Sequence, residues 1–437
     1  MKKSILFLSL SALAAGPAFA ANAGTIDWAS ISSNTVTLFY PGQSSYEWLH
    51  TVHKGDKEKG DKGIKGVKLG QACTVCHANQ EKALGAKLVK GGALEPAPVK
   101  DKAGSVDLKI QAAYDAKNAY FRFQWKTQNP YPGTEHQYLR FDGKEWKVYG
   151  YPKLDQVVQE GKQPGIYEDR MTIMIDDGKV PLFAKQGCWL TCHDGSRDMA
   201  HQFTKEEVAA NALLTAIKKN DVRKYLPSTR TDPADWKTGK SVEEIAKIKA
   251  DGGFVDLIQW RAHRSYAAGM ADDGYVLDFR YSDAGKDMFS GNSDSKTHAP
   301  KYMWDQAKVG YKSITADQLH KGEHFLIREQ NAVPFDPNAG WKEGDMIPDY
   351  LVSRADAKGS AADNNATAAW QDGVWTVVMT RPLGLTNDDD KALKEGGVYN
   401  VGFAVHDDNI TTRGHFVSFV RTLGLGAAAD IKAVKLP

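Results

Sequence analysis

The sequence predicts a mainly β protein: a β-sandwich with helical insertions, preceded by a small, mainly helical or irregular module. Two observations carry this. Apolar and polar residues alternate with period two in many separate runs, the mark of strands with one buried face. Turn signals and irregular loops join those runs, while helix-opening patterns are confined to a few segments. The 437 residues, 42% hydrophobic and 10% aromatic, allow two or three packed domains.

Residues Met1 to Ala20 begin with Lys2 and Lys3, run through the apolar stretch Ile5 to Ala15 and end in Ala18-Phe19-Ala20. That order reads as a secretory signal cleaved after Ala20, with Ala23 as the alternative site. The apolar stretch is short for a membrane span, and no later run of eighteen apolar residues exists. A soluble, exported mature chain is expected. Tyr40-Pro41-Gly42 marks a turn, and Lys54 to Lys68 alternates lysine with Gly, Asp and Glu as a solvated loop. Gln80 to Val89 reads as a short helix ending at Gly91-Gly92, and Glu95-Pro96-Ala97-Pro98 as a linker.

From Val106 the period changes to two. Val106, Leu108, Ile110 and Ala112, then Phe121, Phe123 and Trp125, flank the Asp115–Asn118 turn as a hairpin. Further strands are expected at 170–175, 275–281, 374–381, 399–405 and 415–421. Thr204 with Glu207, and Ser241 with Glu244, are capping boxes that open helices over 205–219 and 242–249. The expected organisation is a signal peptide at 1–20, an N-terminal module at 21–104, and a sandwich at 105–437 with a helical insertion at about 200–250. The formal charge of +2 includes the two signal lysines, so the mature polypeptide is near neutral and nothing points to nucleic acid.

The chemistry is concentrated in four cysteines. Cys73-Thr74-Val75-Cys76-His77 has the spacing by which a c-type haem is attached. Each thiol adds across one vinyl group, and the adjacent imidazole is aimed at the iron. A zinc site would need two more Cys or His nearby, and a redox dithiol a βαβ context; neither is visible. Bacterial c-type haems are joined outside the cytoplasmic membrane, which agrees with the export signal and a periplasmic location. With His77 bound, the iron keeps an open axial position. His50 and His53 are the nearest histidines in sequence, and His53 is favoured because it adjoins the charged loop. That loop also suits the orientation of a redox partner.

Cys188-Trp189-Leu190-Thr191-Cys192-His193 repeats the order with one extra residue. The vinyl groups are a fixed distance apart, yet an added residue can bulge outward without moving the flanking Cα atoms far. A second covalent haem c on Cys188 and Cys192, ligated by His193, is expected, with a loop disulfide as the alternative. Disulfide pairing alone does not account for a histidine directly after each thiol pair.

Further marks lie in Glu168-Asp169-Arg170 entering a strand, Cys188 to Gly195, Asp256-Leu257-Ile258-Gln259-Trp260, and Trp370-Gln371-Asp372-Gly373-Val374-Trp375. Phe403-Ala404-Val405 leading to His415-Phe416-Val417-Ser418 completes the set. On these, the segment from about Val106 to Leu425 resembles the haem-binding domain of the ethylbenzene dehydrogenase gamma subunit and related dimethyl sulfide dehydrogenase subunits. The resemblance implies a β-sandwich holding one haem near its strand ends, and electron transfer to or from a partner. Those subunits hold a non-covalent b-type haem between a methionine and a lysine. This chain departs from them in its thiols, in a histidine at the first ligand position and in an attached N-terminal cytochrome module. It therefore resembles a dihaem c-type relative, and membership of a molybdenum-enzyme complex does not carry over.

His415 is the expected second ligand of the sandwich haem. Period two sets it on the face of Val417 and Phe419, and Gly414 lets the backbone approach closely. By resemblance it also stands where the family's lysine precedes its Val-Ser step. His406 is the rival, with His298 and Met303 as more distant alternatives. Asp388 to Asp390 and Asp407-Asp408 lack calcium-ligand spacing and read as solvated loops.

The expected function is that of a periplasmic dihaem cytochrome c moving single electrons in a respiratory chain, without a substrate of its own. Its partners would be other periplasmic or membrane-anchored redox proteins. The alternatives are a haem subunit of a larger oxidoreductase complex, or a haem enzyme or gas sensor with a displaceable axial ligand; fold analogy does not decide among them.

Overall fold

The computed structural model describes residues 26–40, 66, 69–92, 98–153, 156–193, 195–197, 202–233, 235–407, 410 and 415–437. Strand outweighs helix by 34% to 17%, so the chain is mainly β as expected. Thirteen strands form one sheet. They are β1 (Asn34–Phe39), β2 (Ser105–Tyr114), β3 (Asn118–Lys126), β4 (Arg170–Asp176), β5 (Val255–Arg261), β6 (Asp272–Val276) and β7 (Arg280–Ser282). There follow β8 (Asn365–Gln371), β9 (Val374–Pro382), β10 (Val398–His406), β11 (His415–Val417), β12 (Arg421–Leu425) and β13 (Ile431–Lys435).

The order is β8-β9-β3-β2-β1-β11-β10-β4-β5-β6-β7, while β12 bonds to β10 and β13, and β13 to β2. The path β2-β1-β11-β10-β12-β13 therefore closes on itself as a six-strand barrel core, with the remaining strands extending from it. Alternation decides which side chains enter the interior. Phe121, Phe123 and Trp125 of β3 are buried, and they meet residues of β4, β5 and β10 in one apolar cluster. Phe123 packs on Phe403 at 5.9 Å, Trp125 on Trp260 at 6.2 Å and Trp260 on Trp375 at 4.9 Å, ring centre to ring centre. The hairpin β2–β3 turns where Asp115 accepts from the amides of Lys117 and Asn118, both at 2.7 Å.

Two expected strands are interrupted. Residues 275–281 form β6 and β7 around a tight turn, with Tyr275 and Tyr281 stacked at 5.0 Å across it. Residues 415–421 contain a β-bulge: Ala404 pairs with Val417 but Val401 with Arg421, so one strand carries an extra residue. Ser418 causes it, because its hydroxyl accepts from the Phe403 amide at 3.0 Å where a carbonyl would otherwise stand.

Both capping boxes are present. The first opens α3 (Lys205–Ala209), but Asn211 then recaps the chain by accepting from Leu214 N at 3.0 Å, starting α4 (Ala212–Ala216) instead of continuing one long helix. The second opens α5 (Val242–Ala250). Earlier in the chain α1 (Thr74–His77) precedes α2 (Glu81–Leu88), and α2 lies against β1 and β2, where the backbones of Gly85 and Gly104 pass too closely for a Cβ. Among the described residues, no helix is long and apolar enough to cross a membrane.

Candidate functional site

The sheet's alternation has a second consequence, on the face opposite the core. In β4, Met171, Ile173 and Ile175 are core residues, while Arg170, Thr172 and Met174 line a cavity. In β5, Ile258 and Trp260 face the core, and Leu257, Gln259 and Arg261 face the cavity. Ala404 and His406 of β10, with His415 and Val417 of β11, extend the same wall. The cavity has a volume of about 420 Å³, within the range usual for cofactor sites.

The second thiol motif, in the connection between β4 and β5, packs on β10 and lines the same cavity. Gly187–Thr191 forms a 3-10 helix in which every residue is buried, and Cys188, Cys192 and His193 all reach the cavity. The extra residue does not bulge outward. Trp189 and Leu190 join an apolar cluster instead, with Trp189 stacked on Phe39 at 5.0 Å. The Thr191 hydroxyl donates to the Cys188 carbonyl at 2.9 Å and holds the tight turn. Both thiols are free, so the disulfide alternative is not formed. Burial pushes the Cys188 thiol up to about 12. Its sulfur fits because β10 carries Gly402 beneath it; a Cβ there would come within 2.4 Å of Sγ.

His193 is 2% exposed, stacks on Tyr225 at 3.6 Å and 7°, and has Nε2 2.9 Å from the Tyr225 carbonyl. Binding a metal through Nε2 requires the ring to turn and give that carbonyl to Nδ1, the hydrogen bond that commonly orients metal-bound histidines. His406 and His415, which line the same cavity, are paired in register on β10 and β11. Burial, then the neighbouring His415, holds His406 well below its ordinary pKa.

The cavity is strongly cationic. Arg170, Arg261, Arg264 and Arg280 rise from its floor, and Arg197, Arg223 and Lys224 border it. Glu168 and Asp272 answer part of this charge: Arg264 Nε donates to Glu168 at 2.7 Å, and Arg261 grips Asp272 through two bonds at 2.6 and 2.8 Å. Burial and then Arg261 push Arg280 down to about 10, a sign of cation crowding. Lys224 Nζ lies 3.0 Å from Cys192 Sγ. Two thiols, histidines and surplus guanidinium groups lining one cavity fit a covalently held haem with its propionates. The arginines were not singled out in the sequence, though Arg170 and Arg261 were visible as charges out of phase with the core-facing residues of β4 and β5.

At the first motif, Cys73 precedes α1 and is half-buried, its thiol pushed up to about 11 by burial, while Cys76 is exposed. His77 Nδ1 lies 3.2 Å from the Gln80 side chain, which orients the ring. His50 and His53 lie outside the described residues. The motifs touch one another: Cys73 N donates to the Lys185 carbonyl at 3.3 Å, and Cys73 packs on the apolar cluster that contains Cys188. His298 is exposed and Met303 belongs to a separate apolar cluster with Tyr138 and Trp304, so neither lines the cavity.

Known proteins agree with this picture. Cytochrome c-552 of Stutzerimonas stutzeri is 27% identical over 439 residues, spanning 100% of both chains. Cytochrome c-551 of Rhodocyclus tenuis is 25% identical over 229 residues, 52% of this chain and 73% of its own. The family model described as ethylbenzene dehydrogenase matches residues 25–418, from ahead of β1 through β11 and its bulge, and the chain therefore belongs to the ethylbenzene dehydrogenase family.

Proposed function

We propose that this protein is an exported dihaem c-type cytochrome that passes single electrons between periplasmic or membrane-anchored redox partners. The observation that carries the reading is the single cavity lined together by Cys188, Cys192, His193, His406 and His415. The similarity to two cytochromes c supports it independently.

The first haem is assigned to Cys73, Cys76 and His77, within a module at 21–104, with His53 as its second axial ligand. The second is assigned to Cys188, Cys192, His193 and His415 on the proposed domain 105–437, whose barrel core β1 completes from the preceding stretch. When bound, haem supplies an iron that gains and loses one electron. The polypeptide does the rest. His193 and His415 would hold the iron and close it to substrates, the cavity arginines would hold the propionates, and Met174, Leu257 and Val417 would limit water. The packing of Cys73 on the apolar cluster that contains Cys188 would favour electron passage between the haems.

Pyridine haemochrome analysis with intact-protein mass tests the reading. Two haems per chain are expected, falling to one in the Cys188→Ala, Cys192→Ala double variant. An unchanged content would remove the second haem from the proposal. Carbon monoxide added to the reduced protein separates a carrier from a gas sensor or enzyme: both Soret bands should stay unshifted.

A further inference from the structure

A second constellation lies on the opposite face of β5 from the cavity. Asp256 on β5, Asp273 on β6, Asp283 just beyond β7, and Asp389 with Asp390 in the loop after β9 converge there, each at most 7% exposed. One oxygen from each of Asp256, Asp273 and Asp390 lies within 4.8 Å of the other two, and the same holds for Asp283, Asp389 and Asp390. The first trio has a counter-ion. Arg381 Nη2 is 2.6 Å from Asp256 and 3.2 Å from Asp390, and Nη1 is 3.8 Å from Asp273.

The second trio is poorly answered. Among the described residues, no lysine or arginine forms an ion pair with Asp283 or Asp389. Both carboxylate oxygens of Asp283 are buried without a hydrogen-bond partner. Ser360 Oγ lies 2.9 Å from Asp389 Oδ1 and equally from Asp390 Oδ2, but a hydroxyl has one proton and satisfies only one of them. The Ala284 amide donates to the other Asp389 oxygen at 2.8 Å, and Asn387 to Asp390 at 2.7 Å.

Buried carboxylates without partners are costly unless protons or a cation neutralise them. Burial, then the charges of Asp256 and Asp389, push Asp283 up to about 9. The donor set is all oxygen, without nitrogen or sulfur, which selects hard divalent cations over redox metals. We propose that Asp283, Asp389 and Asp390 bind a divalent cation of the calcium class. The ion ties the end of β7 to the 387–390 loop, which Arg381 already anchors to β5. Since Asp256 and Leu257 are neighbours on β5, pointing to the cluster and to the haem cavity respectively, the ion braces the cavity floor from behind.

Calorimetric titration of the EDTA-dialysed holoprotein with calcium chloride tests this, together with its thermal midpoint. One saturable site is expected, with a midpoint raised by a few degrees, on the order expected of ligand binding to the folded state alone. Asp283→Asn should abolish both responses, yet melt at or above the ion-free wild type because no proton then has to be held on a buried carboxyl. Asp317→Asn, at an exposed aspartate outside the cluster, should respond like wild type. Absence of binding heat and midpoint change in the wild type would mean that protons alone neutralise the cluster, overturning the proposal. An unchanged calcium response in Asp283→Asn would overturn it equally, placing the ion elsewhere.

Discussion

His406 and His415 are cross-strand partners whose rings stack 5.0 Å apart, 20° from parallel, in the lining of the cavity that Cys188 and Cys192 also reach. One iron accepts only one of them opposite His193. His415 is assigned that place, and His406, kept neutral by burial, stacks beside it. His415→Ala should open the second haem to carbon monoxide, while His406→Ala should leave it closed. The reverse pattern would transfer the role to His406. Two imidazoles also predict a low-spin iron without the charge-transfer band of methionine ligation.

Gly402→Ala should damage attachment at the second motif selectively. Its Cβ would stand 2.4 Å from Cys188 Sγ on a backbone held in the middle of the sheet, so the thiol must move. Haem staining should fall towards half while the first haem remains, with a stability loss of about 1–3 kcal/mol from overpacking. Full haem content in this variant would show that Cys188 has slack the structure does not display.

Trp375 is fully buried among Trp125, Trp260 and Tyr266, and its indole donates to Asp169 at 2.9 Å. Trp375→Ala should cost about 3–5 kcal/mol in denaturant unfolding. Trp375→Phe keeps most of the packing but leaves the buried Asp169 carboxyl with the Gly133 amide in place of two donors, for about 1–3 kcal/mol. Equal losses in the two variants would mean that the hydrogen bond, and not the ring volume, dominates.

Asp287 supplies a pH test away from the haem ligands and the aspartate cluster. Burial, then the charge of Asp272, raises it from 3.8 to about 6, against the attraction of Arg261, Arg264 and Arg280. A carboxyl raised on folding binds its proton more tightly in the folded state. Its stabilising contribution is therefore complete below about pH 4 and is lost as pH rises through about 6. Asp287→Asn should flatten that part of the stability profile and gain about 1–2 kcal/mol at pH 7, a value reduced for the side chain's partial exposure. Thermal midpoints at pH 4.5 and 7 check it; parallel profiles for variant and wild type would contradict it.

Local chemistry was legible in the amino-acid order. Period two placed β2, β3, β4, β9 and β10 within a few residues, because an alternating pattern is a statement about one strand and its two faces. The order thiol, thiol, histidine marks Cys188, Cys192 and His193 as one group in the sequence, and the cavity brings His406 and His415 into the same lining. The capping boxes were read correctly, but the recapping by Asn211 and the bulge at Ser418 were not, since side-chain bonds to the backbone override periodicity there.

What the tertiary structure alone decided is which distant faces meet. Arg170, Arg261, Arg264 and Arg280 became one cationic cavity only when β4 and β5 paired in register beneath the thiol motif. Asp389 and Asp390 read as a solvated loop, yet they are buried against Asp256, Asp273 and Asp283, more than a hundred residues earlier. Alternation tells a strand which side is inward. It does not tell which strand will lie alongside, because that choice is made by long-range packing and closure of the sheet, where no single segment carries the information.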